Sequence, residues 1–283
     1  MIRLNTPVGL LWLHTNYLLE PRSGCSFSGS RFSFLNNPNS LAIIAAVESI
    51  QSLSNPSALQ DLESQLIHCR KCPRLVAWRE QVAMTKRKVY QDWEYWAKPV
   101  FGFGDPAARL LLVGLAPGAH GSNRTGQMFT GDASGDFLYP ALYRAGFANR
   151  PKTAARGDGL ELRDVFISAI CRCVPPQNKP TSEEMRNCLP WLAAEMACLP
   201  NLRGIVALGR VAFEGVLALP AFSGVNKKEL TFRHGAFYNL GDDLPWLLCS
   251  YHPSQQNTQT GRLNAEMFDS IWQQARELLE RGT

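Results

Sequence analysis

The sequence contains no run of about 18 uninterrupted apolar residues, so we predict no helix that crosses a membrane. It contains no internal repeat, which argues against a repeat architecture. It also lacks a strong excess of one charge, because 29 basic and 24 acidic residues give a formal net charge of +5. A polyanionic partner is therefore permitted by the charge but is not predicted by it.

Cysteine is sparse as well, with eight residues in 283, too few for a disulfide-dense secreted scaffold. The apolar patch at 8–19 contains His14 and Asn16 and has no strong basic lead-in, unlike a secretory signal. We therefore expect a cytoplasmic protein, whose reduced thiols serve better as metal ligands than as disulfide partners. Residues 1–40 are predicted to be a poorly ordered extension or an incorrectly assigned start, followed by a single domain at 41–283.

The hydrophobic content of 45% allows a sizeable core, and its pattern alternates between two kinds of segment. Short continuous apolar runs predict buried strands at 110–113, 165–169, 204–208 and 246–250. Helical spacing predicts two short helices within 40–67, separated at Pro56, and further helices at 137–145, 183–197, 211–217 and 265–279. Strands that alternate with helices in this way predict a parallel sheet covered on both faces.

Ligands of such sheets bind beyond the carboxyl ends of the strands. Three of the predicted strands are followed by polar segments, rich in Gly and Pro, at 114–132, 170–180 and 251–262. These segments are too long to be simple turns, so we place the functional site there. A further basic stretch at 152–159 is predicted to be a solvated loop.

The cysteines are clustered in two pairs. Cys69 and Cys72 form a C-x-x-C pair, and Cys173 and Cys188 follow about a hundred residues later. Four thiolates in two pairs suit either a structural zinc or a four-iron cluster, and the spacing does not choose between them. Cys171 is an alternative third ligand, but Cys173 is preferred because it abuts the Pro-Pro loop that must turn toward the site. The other cysteines are predicted to be small buried hydrophobes, at Cys25, Cys198 and Cys249.

Two of the polar segments have informative sequences. The segment 114–132 reads GLAPGAHGSNRTGQMFTGD, and its five glycines permit close approach of the backbone to a ligand. No Gly-Lys-Ser/Thr follows, which weakens a nucleoside-triphosphatase interpretation. The segment 251–262 reads YHPSQQNTQTGR and places His252 directly after a buried strand, beside a loop suited to contacting phosphates and a groove.

Three motifs, GLAPGAHGSNRTGQMFTGD, CVPPQNKP with its downstream cysteine, and HPSQQNTQTGRL, carry a family resemblance. Over about residues 60 to 280 the chain resembles the type-5 uracil-DNA glycosylases, iron–sulfur relatives of the type-4 enzymes. The resemblance implies an α/β fold, a three-layer α/β/α sandwich with a short central, mainly parallel sheet. It also implies a flipped base in a pocket and a 4Fe-4S cluster on the N-terminal side of the site, with the ligands Cys69, Cys72, Cys173 and Cys188.

The family pattern implies roles for individual residues. Phe129 would stack on the extruded base, and His252 would donate a hydrogen bond to its O2. Type-4 enzymes carry an acidic residue after the first glycine of the water-activating loop, where this chain has Leu115 and Ala116. Water positioning is therefore expected from Asn123 first and Asp132 second. The backbone that borders the base is expected at Ala116, Pro117 and Gly118.

A second departure concerns base selection. Type-4 enzymes read the uracil amide with an asparagine at the position of Ala169, and loss of that polar pairing should relax discrimination. We expect Asn178 to contribute base contacts and expect hypoxanthine or xanthine to be accepted besides uracil. The expected partner is double-stranded or single-stranded DNA containing deaminated bases, bound by a monomer in base-excision repair. DNA contacts are expected from Arg124, Lys179, Ser254, Gln256, Asn257 and Arg262.

The sequence is also compatible with two other functions. One is a nucleic-acid-binding protein that kept the fold and the cluster but lost activity, for which the missing carboxylate is the best argument. The other is a zinc-stapled α/β hydrolase that acts on nucleotides. Excision from a uracil-containing duplex separates the first from a glycosylase, and a brown colour with broad visible absorption would exclude a zinc-only site.

Overall fold

A computed structural model describes residues 56–281. The predicted N-terminal extension at 1–40, the helical segment before Pro56 and Cys25 lie outside the described residues. The chain has four central parallel strands, β2 (Leu110–Gly114), β3 (Val165–Ala169), β4 (Gly204–Leu208) and β6 (Trp246–Ser250). All four were predicted, three of them with the same bounds. Two short antiparallel strands at the edges, β1 (Phe103–Gly104) and β5 (Phe237–Tyr238), complete the order β1-β3-β2-β4-β6-β5.

The sheet is covered on both faces, as its apolar strands require. Successive residues of β2 belong to different cores, because Leu110 packs with one apolar cluster and Leu111 with the other. The Leu111 side is covered by α1 (Pro56–Leu66), α5 (Ser182–Ala197) and α6 (Arg210–Leu217). The Leu110 side is covered by α4 (Ala133–Arg144) and α8 (Ala265–Glu280). The predicted three-layer α/β/α sandwich with a mainly parallel sheet is confirmed.

Several helices begin directly after a residue whose side chain caps the helix N-terminus. Thr181 and Glu184 form a capping box before α5, and the Asn264 side chain accepts the Met267 N–H before α8. Asp132 caps α4, so that helix begins four residues before the predicted start at residue 137. Among the described helices, none is both long and apolar enough to span a membrane.

Three helices were not predicted from the sequence. They are α2 (Pro73–Thr85), which begins with a proline directly after the C-x-x-C pair, α3 (Ser122–Thr125) and α7 (Gln255–Gln259). The last two lie inside the predicted loops. Residues 152–159 form a largely exposed loop, as predicted, in which the Asp158 carboxylate accepts hydrogen bonds from the Thr153 hydroxyl and the Ala154 N–H.

Candidate active site

A cavity of about 860 Å³ opens at the carboxyl ends of the parallel strands. Most of its lining comes from the segments that follow β2, β3 and β6, the three segments in which the sequence placed the site. Ala169, at the end of β3, lines the cavity as well. The loops bearing Phe129, Asn178 and His252 therefore lie around one space rather than on separate faces.

Phe129 and His252 form one wall of the cavity. Their ring centroids lie 5.7 Å apart with an interplanar angle of 29°. Phe129 has a positive φ of 54°, a conformation that costs free energy for a non-glycine residue and is common at functional sites. Gly114 leaves room for the ring, since a Cβ there would lie 2.7 Å from the Phe129 Cζ atom. The end of β2 is thus shaped to accept this aromatic side chain.

His252 presents a neutral imidazole to the cavity. Burial lowers the pKa of His252 to about 4, so the ring carries no charge at neutral pH. Its ring nitrogens form no hydrogen bond within residues 56–281, while its backbone carbonyl accepts one from Asn257 Nδ2 at 2.9 Å. The loop is therefore held by its backbone, and the imidazole is left available to a ligand.

Asp132 supplies a carboxylate to the same cavity. Its Oδ1 accepts hydrogen bonds from the N–H groups of Ser134 at 3.0 Å and Gly135 at 3.2 Å, at the start of α4. Its Oδ2 occupies space that only glycines provide, because a Cβ on Gly118 or Gly121 would lie 2.6 Å or 2.2 Å from it. Burial raises the pKa of Asp132. One oxygen is thus fixed by the helix, and the other can accept a hydrogen bond from water.

Asn123 does not face the cavity, contrary to its predicted role in positioning water. It is 1% exposed, and its Nδ2 donates to the backbone carbonyl of Arg79 at 3.2 Å. The first turn of α3 directs this side chain toward α2 instead. This prediction is wrong, and of the two candidates only Asp132 borders the cavity.

Arg124 is also turned inward, so its predicted contact with DNA phosphate is wrong. The guanidinium lies 4.0 Å and 4.1 Å from the ring centroids of Tyr90 and Trp93. Its Nε donates to the His120 carbonyl at 2.8 Å, and its Nη2 to the Gly131 carbonyl at 3.3 Å. A side chain that is 4% exposed and engaged in this way cannot reach a ligand phosphate.

The remaining predicted residues divide into two groups. Those that line the cavity are Ala116, Gly118, Asn178, Lys179, Ser254 and Gln256. Three others lie outside the lining. Pro117 is buried, Asn257 holds the carbonyl of His252, and the Arg262 guanidinium lies 4.6 Å from the ring centroid of Tyr251.

Comparison with known proteins agrees with this geometry. Residues 101–276 match the family model described as the uracil DNA glycosylase superfamily. The chain belongs to this superfamily. A type-5 uracil-DNA glycosylase of Thermus thermophilus is 55% identical over 213 residues, which cover 75% of this chain and 94% of that protein. A type-5 uracil-DNA glycosylase of Mycobacterium leprae is 49% identical over 222 residues, 78% of this chain and 96% of that protein.

A type-4 relative is more distant. The type-4 uracil-DNA glycosylase of Pyrobaculum aerophilum is 32% identical over 162 residues, which cover 57% of this chain and 65% of that protein. The similarity to the two type-5 proteins therefore covers a larger part of the present chain than the similarity to the type-4 protein.

Four cysteines of this glycosylase-superfamily chain lie near one another. Cys69 and Cys72 lie between α1 and α2, Cys173 follows β3, and Cys188 lies in α5. Cys173 interacts electrostatically with both Cys69 and Cys188, and Cys72 does so with the same two thiols. Cys171 is fully buried in the apolar core and interacts with Cys173 and Cys188.

Hydrogen-bond donors surround these thiols. Arg79 Nη1 donates to Cys173 Sγ at 3.0 Å, and the Arg172 N–H donates to Cys188 Sγ at 3.2 Å. Burial raises the pKa of Cys173 to about 12, and the adjacent Arg79 opposes this shift. Donors aimed at sulfur suit thiolate ligands, whose negative charge they stabilise. Within the described residues, no three His, Cys, Asp or Glu side chains are arranged to hold a single metal ion.

Sequence reasoning missed part of the cavity wall. Arg87 and Tyr90 line the cavity from the segment that follows α2, and His120 lines it from the loop after β2. A signal was present in the sequence, because the basic run at 86–88 is followed closely by four aromatic residues at 90–96. The segment lies far from any predicted strand end, where the functional residues of a parallel sheet are expected.

Proposed function

We propose that the protein is a monofunctional DNA glycosylase that hydrolyses the N-glycosidic bond of uracil in DNA. The observation that carries this proposal is the meeting of Phe129, His252 and Asp132 around one cavity at the carboxyl edge of the sheet. Two of the relatives named above, each matching about three quarters of the chain, are type-5 uracil-DNA glycosylases. The protein acts on DNA as part of base-excision repair.

The chemistry requires stabilisation of charge on the departing base. When the bond between C1′ and N1 breaks, its electron pair leaves with uracil and negative charge develops on O2. The neutral His252 imidazole donates a hydrogen bond to that oxygen, as a donor of an oxyanion hole does. Such a donor contributes on the order of 10²–10³ in rate.

Asp132 serves the other half of the reaction. Water adds its hydroxyl to C1′, and its proton passes finally to the departed base. The Asp132 Oδ2, held beside Gly118 and Gly121, accepts a hydrogen bond from this water and orients it. The carboxylate that the type-4 loop carries is absent at Leu115, and Asp132 takes its place from the far end of the same segment.

The substrate is an extruded nucleotide, because no enzyme group can reach the bond inside a base stack. Phe129 provides the stacking surface, and the loop at 254–262 contacts the duplex that the nucleotide has left. Ser254 and Gln256 line the cavity from this loop, and Lys179 does so from the loop after β3. We expect a monomer that acts on double-stranded and single-stranded DNA.

Deaminated purines are proposed as additional substrates. Ala169 gives the end of β3 a methyl group where a type-4 enzyme would place an amide, so this wall does not select for uracil by polar pairing. Asn178 lies at the cavity with an exposed side chain that makes no hydrogen bond within the described chain. Incubation of the protein with duplexes containing hypoxanthine or xanthine tests this extension, and absence of cleavage of both would rule it out.

A 4Fe-4S cluster bound by Cys69, Cys72, Cys173 and Cys188 is the proposed cofactor. The electrostatic interactions among these thiols support this proposal. The hydrogen bonds that Cys173 Sγ and Cys188 Sγ accept support it as well. When bound, the cluster supplies a cross-link between distant parts of the chain.

Single-turnover excision from a uracil-containing duplex tests the proposed activity. The wild-type protein should release uracil, and His252→Ala should lower the rate about 10²–10³-fold with nearly unchanged affinity for the duplex. His68→Ala removes an exposed histidine outside the cavity and serves as the matched control. Duplex binding without any excision by the wild type would instead favour a nucleic-acid-binding protein that has lost activity.

A further inference from the structure

Residues 86–93, hereafter the basic–aromatic segment, form a part of the cavity mouth to which the reaction assigns no role. The segment follows α2 and includes a short 3₁₀ turn, Lys88–Tyr90. Two of its side chains, Arg87 and Tyr90, line the cavity. It reaches the site from a different part of the chain than the three loops that follow strands.

The basic–aromatic segment packs against the loop that follows β2. The Arg124 guanidinium lies between the rings of Tyr90 and Trp93, at 4.0 Å and 4.1 Å from their centroids. The Tyr90 ring also stacks with the His120 ring at 6.5 Å and 26°. Just beyond the segment, the N–H of Trp96 donates to the Arg124 carbonyl at 3.0 Å. The segment is therefore positioned before any ligand binds.

The outer face of the basic–aromatic segment is unusual in two ways. Among the described residues, six large hydrophobic side chains are exposed, and two of them, Val89 at 76% and Trp93 at 37%, belong to this segment. Three consecutive cations, at 86–88, precede them, and within residues 56–281 none forms an ion pair with a carboxylate. Exposed apolar groups beside unpaired cations match a partner that offers bases and phosphates together.

We propose that the basic–aromatic segment is a second DNA contact surface, on which Arg87 binds a phosphate next to the extruded nucleotide and Val89 packs against the neighbouring base. This inference rests on the proposed function for the identity of the strand. Arg87 reaches a phosphate because it borders the cavity that receives the nucleotide. Val89 is free to enter the gap in the stack because it projects from the 3₁₀ turn.

The salt dependence of DNA binding tests the phosphate contact. The probe is a duplex with a tetrahydrofuran abasic analogue, and affinity is measured by fluorescence anisotropy over a series of salt concentrations. Arg87→Ala should lower the slope of log K against log salt concentration by about 0.9, the value for one lost phosphate contact. Lys228→Ala removes an exposed cation outside the cavity and should leave the slope unchanged.

A second variant tests the apolar contact separately. Val89→Ser keeps the charge, so the salt slope should stay constant while affinity falls about tenfold, as expected when one aliphatic side chain no longer buries its surface. Both substituted residues are exposed, and thermal unfolding midpoints should match that of the wild type.

The possible outcomes separate this inference from the proposed function. Equal salt slopes for the wild type, Arg87→Ala and Lys228→Ala would overturn the phosphate contact, and unchanged affinity of Val89→Ser would overturn the apolar one. Both results can be obtained in protein that excises uracil normally. A reduced slope for Arg87→Ala in protein without excision activity would instead support the DNA contact and contradict the glycosylase proposal.

Discussion

Burial shifts the pKa values of His252 and Asp132, two of the titratable side chains that line the cavity. Burial disfavours charge, so it lowers the pKa of the His252 imidazole to about 4 and raises that of the Asp132 carboxyl. The lowered pKa suits the proposed role of His252 at neutral pH, because an uncharged imidazole can still donate a hydrogen bond through its N–H. The carboxylate, in contrast, has to remain an acceptor. The pH dependence of the reaction should therefore reflect Asp132.

Asp132→Asn separates the chemical role of this residue from its structural role. Asparagine caps a helix as well as aspartate does, so the free energy of unfolding should change little. The rate of excision should fall about 10²-fold, because the amide is a weaker acceptor for the attacking water. Asp132→Ala should lose activity to a similar extent and should also lose about 1 kcal/mol of stability with the cap. Full activity of the asparagine variant would contradict the assigned role.

The acid limb of the pH profile should depend on the same carboxylate. Its raised pKa means that protonation begins at a higher pH than for an ordinary aspartate, so the single-turnover rate should decline as pH falls toward that value. The decline should be absent from the low residual rate of Asp132→Asn. No inflection is expected near pH 6.5 from His252, whose pKa is about 4. An inflection there that disappears in His252→Ala would show that the imidazole is charged in the enzyme.

Gly114→Ala tests the fit of the aromatic wall. The new methyl group would lie 2.7 Å from Phe129 Cζ, so the ring must shift, at a cost of about 1–3 kcal/mol in stability. Displacement of Phe129 should also reduce excision. Gly224→Ala is the matched control, because a methyl group there would have no atom within 4 Å and the backbone of Gly224 is not left-handed. Equal effects of the two substitutions on excision would contradict the proposed stacking surface.

The sequence predicted the location of the site better than the direction of each side chain. The histidine after β6 and the aromatic residue near the end of the β2 loop lie at the cavity, because strand ends fix their positions. Asn123 and Arg124 were misassigned since they belong to α3, in which each residue turns about 100° from the one before it. A polar residue in a functional loop can thus point into the protein, and the sequence offers no sign of it.

Among the helices and strands, the longer and more fully buried ones were the easier to predict from the sequence. The central strands are continuous apolar runs that are buried on both faces, and these were recognised directly. The edge strands β1 and β5 have two residues each, too few for any pattern. Helix α2 was missed because its buried face includes Arg79 while the apolar Met84 is 73% exposed, so its apolar periodicity is weak.

The buried arginine of α2 gives this helix a connecting role. Arg79 donates to Cys173 Sγ through Nη1, and its backbone carbonyl accepts the hydrogen bond of Asn123 from α3. One residue thus contacts both a proposed cluster ligand and the loop that bears the cavity wall. The hydrogen bond to the Arg79 carbonyl also explains why the Asn123 side chain points away from the cavity.

Arg79→Gln should weaken the proposed cluster without removing a ligand. Loss of the cation and its hydrogen bond leaves the Cys173 thiolate less stabilised, so visible absorption should decay faster in air and iron content should fall. Arg70→Gln, which removes an exposed arginine paired with Glu80, is the control. Identical decay in the two variants would mean that Arg79 does not act on the cluster.

At the scale of the whole molecule, the cavity depends on segments that are far apart in the chain. The Lys179 carbonyl at the cavity rim accepts a hydrogen bond from Arg74 in α2, and Arg74 also pairs with Glu184 of α5 at 2.6 Å. The proposed cluster would bind the same parts together, with about 100 residues between Cys72 and Cys173. Cross-linking a loop of that length stabilises a fold by about 4–5 kcal/mol through the entropy of the unfolded chain.

Serine substitutions of single cysteines test this cross-link. Loss of Cys69, Cys72, Cys173 or Cys188 should abolish the visible absorption of anaerobically purified protein and lower its unfolding midpoint, since a missing ligand opens the loop. Cys198→Ser changes a thiol outside the proposed set and should keep both properties.

A substitution of Cys171 tests whether Cys171 or Cys173 is the third ligand. Cys171 is the alternative because its thiol lies in the apolar core beside Cys188. If Cys171→Ala lost the cluster while Cys173→Ser kept it, the ligand that follows β3 would have to be reassigned, and Arg79 would no longer contact a ligand.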